Sequence, residues 1–376
     1  MFIRYIFLVL LSLLFIVPAN SQEIKKTGGF ARLSGMGSNP YIVDPFFMTI
    51  NPAWGTYYDN FLFGDLGSGA GTSTDFAAGG TGQFFAANFS LGNKLTLGGF
   101  LSRNDFQSFS ITAPDPLSNV PGYTLGVGST QATASQFGIN GGILADFTSR
   151  LRLDAGVSLI FPGANFKPAI GAETSVSETI FMINARLFTK LSSKVTLVPL
   201  FSFITASGTQ DLGLGDSTRS TDLPSLTAFN IGLGVNYSVG DFLLAGGLSL
   251  ANASITTPST PATPELSTSY FVFPLWNIGL EWNLTDWFVG RLGYVATTAK
   301  MTIESPATQT PVPTDKNEAI QTLFVGPNGA TVGVGFRFGD FSMDATVNEG
   351  VLRQGLNNIG GGGPTFAYLS VSYALP

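Results

Sequence analysis

From Asn60 onward the chain repeats one pattern: segments of alternating polarity, joined in turn by a tight connection and by a long polar one. Such alternation makes a strand with two unlike faces, because successive side chains point to opposite sides of the pleat. Leu151, Leu153, Ala155, Val157 and Leu159 share one face, with Arg152, Asp154, Gly156 and Ser158 on the other. Phe229, Ile231, Leu233, Val235 and Tyr237 likewise alternate with Ala228, Asn230, Gly232, Gly234 and Asn236. The tight connections fall at Gly92-Asn93, Thr148-Ser149, Ser192-Ser193, Gly240-Asp241, Asn283 to Asp286 and Gly339-Asp340. The long ones cover 67–81, 104–133, 161–174, 205–225, 254–266, 299–329 and 348–364, so the count is about fourteen strands. A soluble sandwich or β-helix would not need so many long two-faced strands with so few charges.

What such strands close into follows from hydropathy. Only 11% of residues are charged and the mean hydropathy is +0.28, values suited to a membrane. Yet no apolar run reaches the roughly twenty residues that a spanning helix needs. A closed barrel is the remaining structure that satisfies every backbone N–H and C=O within lipid. The expected fold is therefore all-β: a transmembrane antiparallel up-and-down β-barrel, with short turns and both chain ends periplasmic and long loops outside. The 46 glycines suit a crowded lumen, and the 33 phenylalanines suit a lipid-facing wall or girdle. Trp282 and Phe288 flank one short turn and fit the periplasmic girdle.

The first residues carry Arg4, an apolar run from Ile6 to Val17, and the small-x-small site Ala19-Asn20-Ser21. Residues 1–21 read as a secretion signal, 22–59 as a plug within the lumen, and 60–376 as the barrel, located in a bacterial outer membrane.

Assigning strand directions from the turns places the inward charges by height. Asp146, Arg152, Asp154, Arg186, Lys190, Glu281, Arg291, Arg337 and Asp344 gather near the short turns. Mixed signs suggest an ion-pair network whose partner is the plug; charges lining a wet opening would leave the same pattern. Farther out, Phe84, Phe100, Ile160, Ile180, Met182, Val198, Leu200, Phe271 and Phe273 point inward on the same alternation. They line an apolar ligand site, or else pack against the plug and infolded loops. Pro199 and Pro274 each remove a ladder N–H inside a strand and mark a bulge or kink.

Several classes are set aside. The chain has no Cys and no His, which removes thiolate chemistry, the usual general base and the commonest metal ligand. Asp146 and Asp154 flank one turn, but opposite charges nearby make salt bridges the better reading, so no enzyme and no cofactor is expected. The clusters 67–71 and 360–363 lack the strand-helix context and the Lys-Ser or Lys-Thr of phosphate loops. A net charge of -6 gives no basic surface for nucleic acid.

The stretch Gly29-Phe30-Ala31-Arg32-Leu33-Ser34-Gly35-Met36-Gly37, then Val43-Asp44, then Thr49-Ile50-Asn51-Pro52-Ala53, resembles the start of the long-chain fatty-acid transporter (FadL-type) family. Members show an Ala-rich Gly-Met-Gly, an acidic position and Asn-Pro-Ala before the first strand, and relatives include the PorV-type barrels of type IX secretion. Gly35, Met36, Gly37, Asn51, Pro52 and Ala53 carry the motif. The resemblance implies a plug that shifts on ligand binding, a hydrophobic pocket and cofactor-free passive delivery of a lipophilic solute such as a long-chain fatty acid. Ser38-Asn39-Pro40-Tyr41 replaces the usual small run and Trp54 follows Asn-Pro-Ala, so ligand identity does not transfer. The expected partners are the bilayer and a hydrophobic small molecule. A secretion or surface-assembly component that binds exported proteins is the alternative, with a general porin, which a plug opposes, as the third.

Overall fold

The structure is a computed structural model that describes residues 28–44, 53, 61–66, 83–91, 95–103, 133–166, 174–214, 217–259, 264–305, 315–323, 330–347 and 366–374. The expected signal segment and most of residues 45–59 lie outside these, as does the turn at Gly92-Asn93.

Among the described residues, a short helix, α1 (Phe30–Gly35), precedes the strands β1 (Phe61–Leu66), β2 (Gln83–Leu91), β3 (Leu95–Arg103), β4 (Thr133–Thr148), β5 (Leu151–Phe166), β6 (Thr174–Lys190), β7 (Val195–Leu214), β8 (Ser217–Asp222), β9 (Ser225–Val239), β10 (Phe242–Thr257), β11 (Leu266–Asn283), β12 (Phe288–Ser305), β13 (Asp315–Leu323), β14 (Ala330–Phe338), β15 (Phe341–Val347) and β16 (Phe366–Ala374). Every pairing is antiparallel, and β1 pairs with β16, Phe61 opposite Ala374, so the sheet closes. Fourteen strands form the barrel; β8 and β13 pair only with the far ends of β7 and β12. Parts of two stretches read as loops, 205–225 and 299–329, are thus hairpins. Their polar strands, Ser217–Asp222 and Asp315–Leu323, lack the two-faced alternation that made the others visible.

The wall follows the expected faces. On β9, Phe229, Ile231, Leu233, Val235, Tyr237 and Val239 are exposed, whereas Ala228 and Asn230 are buried. Ten residue steps at about 3.3 Å, tilted by about 40°, span about 25 Å, the height of the apolar band of a membrane barrel. Trp282 stacks on Phe242 with ring centroids 4.9 Å apart, and Trp287 on Phe336 at 6.3 Å, all beside short turns as an interfacial girdle. This barrel spans a membrane: such a continuous apolar exterior would be an aggregation surface in water.

Short turns have local causes. Gly240 and Gly339 take φ of 54° and 61°, open to glycine at no steric cost. At the β6–β7 connection the Ser192 hydroxyl accepts from the Lys194 and Val195 amides. Between β11 and β12 Thr285 Oγ1 accepts from Phe288 N at 2.9 Å.

Register shifts fall at the β4–β5 turn, between β15 and β16, and within β11, where the shift re-aims the strand's side chains. Two residue steps on β10, Ser249 to Ala251, face three on β11, Leu275 to Val272, and β12 meets the same extra residue. This bulge reverses the faces beyond it. Phe271 and Phe273 therefore point outward, 46% and 52% exposed, and do not line the lumen. Pro274, which cannot donate to the ladder, sits in the bulge. Pro199 leaves the β7–β9 register continuous.

Candidate functional site

The described N-terminal residues, 28–44, lie against the inward faces near the short turns. Helix α1 is held at its start by Ser370, whose Oγ accepts from Ala31 N at 2.7 Å, and by Thr346, whose Oγ1 donates to Ala31 O at 2.8 Å. Its end turns at Gly37, φ 69°, with Ser38 N donating back to Leu33 O. A Cβ on Gly37 would stand 2.7 Å from the Tyr294 backbone, and one on Gly35 3.0 Å from the Gly333 Cα. The Gly-Met-Gly motif thus has a physical reason: both glycines let backbone meet backbone.

Barrel glycines complete the fit from the other side. A Cβ at Gly234 or Gly247 would occupy the Tyr41 ring, and one at Gly279 would strike Met36. The small inward face of β9 and β10 is therefore a trough for an aromatic ring. Tyr41 OH donates to Leu248 O at 3.0 Å, and Asn236 Nδ2 donates to Tyr41 O at 2.8 Å. Asn39 Nδ2 donates to Ala245 O at 2.9 Å, and Asn277 Nδ2 to Gly37 O at 2.8 Å. Burial pushes the Tyr41 hydroxyl up to about 12, so it remains a neutral donor.

Charge fixes the segment at two places. Glu281 accepts from Arg32 Nε and from Arg291 Nε, each at 2.7 Å, while Arg32 Nη1 donates to Asp44 Oδ2 at 2.8 Å. Arg291 Nη2 lies 2.7 Å from Asp344 Oδ1, and Arg337 is within electrostatic reach of the same groups. Although burial opposes its charge, Glu281 and Asp44 hold the Arg32 guanidinium well above its ordinary value. At the second place Arg186 donates to Asp154 Oδ2 at 2.7 Å and, through Nη1, to Pro40 O at 3.0 Å and Ile42 O at 2.6 Å. Its guanidinium carbon also lies 5.2 Å from the Phe188 ring centroid.

The expected charges are therefore distributed unequally. Asp154 and Arg186 form one buried pair; Glu281, Arg291 and Asp344 form a cluster with Arg337 beside it. Asp146 and Arg152 pair at 2.6 Å, but their side chains are 55% and 37% exposed, with Lys190 nearby. Of the apolar residues, Ile160, Ile180, Met182, Val198 and Leu200 are buried in one continuous cluster with Leu33, Met36, Tyr41, Ile42 and Ala53. Phe84 and Phe100 lie in β2 and β3, and their side chains fall outside the described residues, as do Asn51 and Pro52. Sequence reasoning missed Arg32 and Asp44 as charge partners and Asn39, Tyr41, Asn236 and Asn277 as docking groups. Arg32 and Asp44 had a signal in their place in the motif, Asn39 and Tyr41 in their departure from it, and Asn236 in its small polar face.

No protein-family model matches the chain, and no curated protein is significantly similar. Solved structures that resemble it include the toluene transporter TodX of Pseudomonas putida, at 12% identity and TM-score 0.43, covering 94% of this chain and 100% of that one. A FadL homologue of Pseudomonas aeruginosa gives 14% identity and TM-score 0.43, covering 96% and 99%. The ferric yersiniabactin uptake receptor FyuA of Yersinia pestis gives 11% and 0.33, with 77% of this chain covered; the chain spans 46% of that receptor, about half its length. Likenesses this distant carry no inference about function.

Proposed function

We propose that the chain is a bacterial outer-membrane conduit for the passive uptake of small hydrophobic molecules, with the N-terminal segment as its internal stopper. The supporting observation is the apolar inner wall. Ile160, Ile180, Met182, Val198 and Leu200, on three neighbouring strands, are at most 6% exposed where a polar pore would carry charge, and they cluster with Leu33, Met36, Tyr41 and Ile42 of the N-terminal segment, so a solute reaches them only as that segment yields. Burying a hydrocarbon chain against such a wall is favourable by roughly 0.8 kcal/mol per CH₂ before the cost of ordering it. The resemblance of residues 29–53 to the fatty-acid transporter family points the same way. Long-chain fatty acids are one fitting substrate class.

Native mass spectrometry with lipid extraction, on barrel purified in mild detergent, tests this reading. A co-purifying apolar molecule is expected, and Ile180→Asp or Met182→Asp should abolish its retention. Phe271→Ser and Phe273→Ser, on the lipid side, should leave it unchanged. An empty barrel carrying a stoichiometric exported protein would overturn the proposal in favour of a surface-assembly role.

A further inference from the structure

Outside the lumen, a cleft of about 550 Å³ opens at the end of the barrel carrying the long connections. That volume lies within the roughly 300–1,000 Å³ of small-molecule sites. Its polar lining includes Thr179 on β6, Ser207 on β7, Asp222 on β8, Ser225 on β9, Thr256 on β10 and Glu265 just before β11. Thr179 stands opposite Ser207 and Ser225 opposite Thr256, so the register carries a row of hydroxyl groups across neighbouring strands.

The row lies on the lipid-facing side. Thr179 and Ser207 are exposed, and Ser225 shares the face of Thr227 and Phe229. Phe201 and Phe229, exposed at 41% and 38%, mark the apolar band on β7 and β9. Ser225 is four residues beyond Phe229, which on a tilted strand is about 10 Å along the membrane normal. That distance exceeds the roughly 5–7 Å of headgroup region on each side of the hydrocarbon core, so the row stands at the outer edge of that region.

Chemistry narrows the occupant. Serine and threonine hydroxyls donate and accept, and carboxylates accept from hydroxyl pairs. Asp222 and Glu265 bring two carboxylates to the cleft, and these disfavour a phosphate or sulfate. We propose that this cleft binds a neutral sugar, either as the headgroup of a glycolipid whose tails lie on the Phe201–Phe229 wall or as a free saccharide.

The test uses the full chain in a polyoxyethylene detergent, with dodecyl maltoside, maltose or dodecylphosphocholine titrated in native mass spectrometry. Wild type should retain dodecyl maltoside in preference to the phosphocholine. Ser207→Val combined with Asp222→Asn should weaken that retention about tenfold, as loss of hydrogen bonds predicts. Heat-modifiable migration on gels checks that the variant barrel is folded. Competition by maltose would show that the sugar alone suffices; retention without competition would identify a glycolipid headgroup. Equal retention of both detergents, or retention unaffected by the substitutions, overturns the proposal.

Discussion

Two ion pairs in this barrel have nearly the same length and opposite significance. Arg291 Nε meets Glu281 at 2.7 Å with side chains 0% and 10% exposed, while Arg152 meets Asp146 at 2.6 Å with side chains 37% and 55% exposed. The first pair lies under the N-terminal segment and shares Glu281 with Arg32; the second lies at the β4–β5 turn. The sequence offers no distinction between them, since both are inward charges near short turns. What separates them is the covering chain: where it excludes water each charge needs its partner, and where water remains the partner is nearly optional.

The largest effect should come from Glu281→Gln. It leaves Arg32 and Arg291 buried and short of charge, a loss of about 3–5 kcal/mol. The loss falls on docking of the segment, so hydrogen exchange of the 31–41 amides should rise by orders of magnitude while the barrel stays heat-modifiable. Next is Gly234→Val, which places a side chain in the Tyr41 ring and should cost about 1–3 kcal/mol in the same exchange measurement. Gly141→Ala is its control, because the nearest atom to a Cβ there is 3.8 Å away.

Tyr41→Phe should weaken docking by about 1 kcal/mol. In wild type the hydroxyl's folded value, about 12, lies above the ordinary 10, so its contribution is complete below pH 10 and fades as pH rises from 10 through 12. Tyrosinate absorbance, compared between wild type and the variant, reads this group directly. Asp146→Asn should change exchange in the segment by less than about 1 kcal/mol and be insensitive to salt there.

The barrel was legible because period-two alternation survives at single-residue resolution, as Phe229 to Tyr237 shows. The β11 bulge was not, because one inserted residue changes the faces without changing the composition. Pro274 marked the place but not the consequence for Phe271 and Phe273. In the lumen, clustering of charges near the short turns could be read, whereas the partnership of Arg32 with Glu281, 249 residues apart, left no trace in spacing. The glycines of β9 and β10 read as filling for a crowded lumen; that they form a seat for one tyrosine depends on a contact almost two hundred residues distant in the chain, which leaves no local pattern.

The proposal that residues 28–44 close an apolar-lined barrel through buried charge is tested most directly by single-channel conductance in planar bilayers. Wild type should show no steady current, and Glu281→Gln should show frequent large openings that Asp146→Asn does not produce. Large steady currents from wild type, or identical traces from all three proteins, would contradict the account.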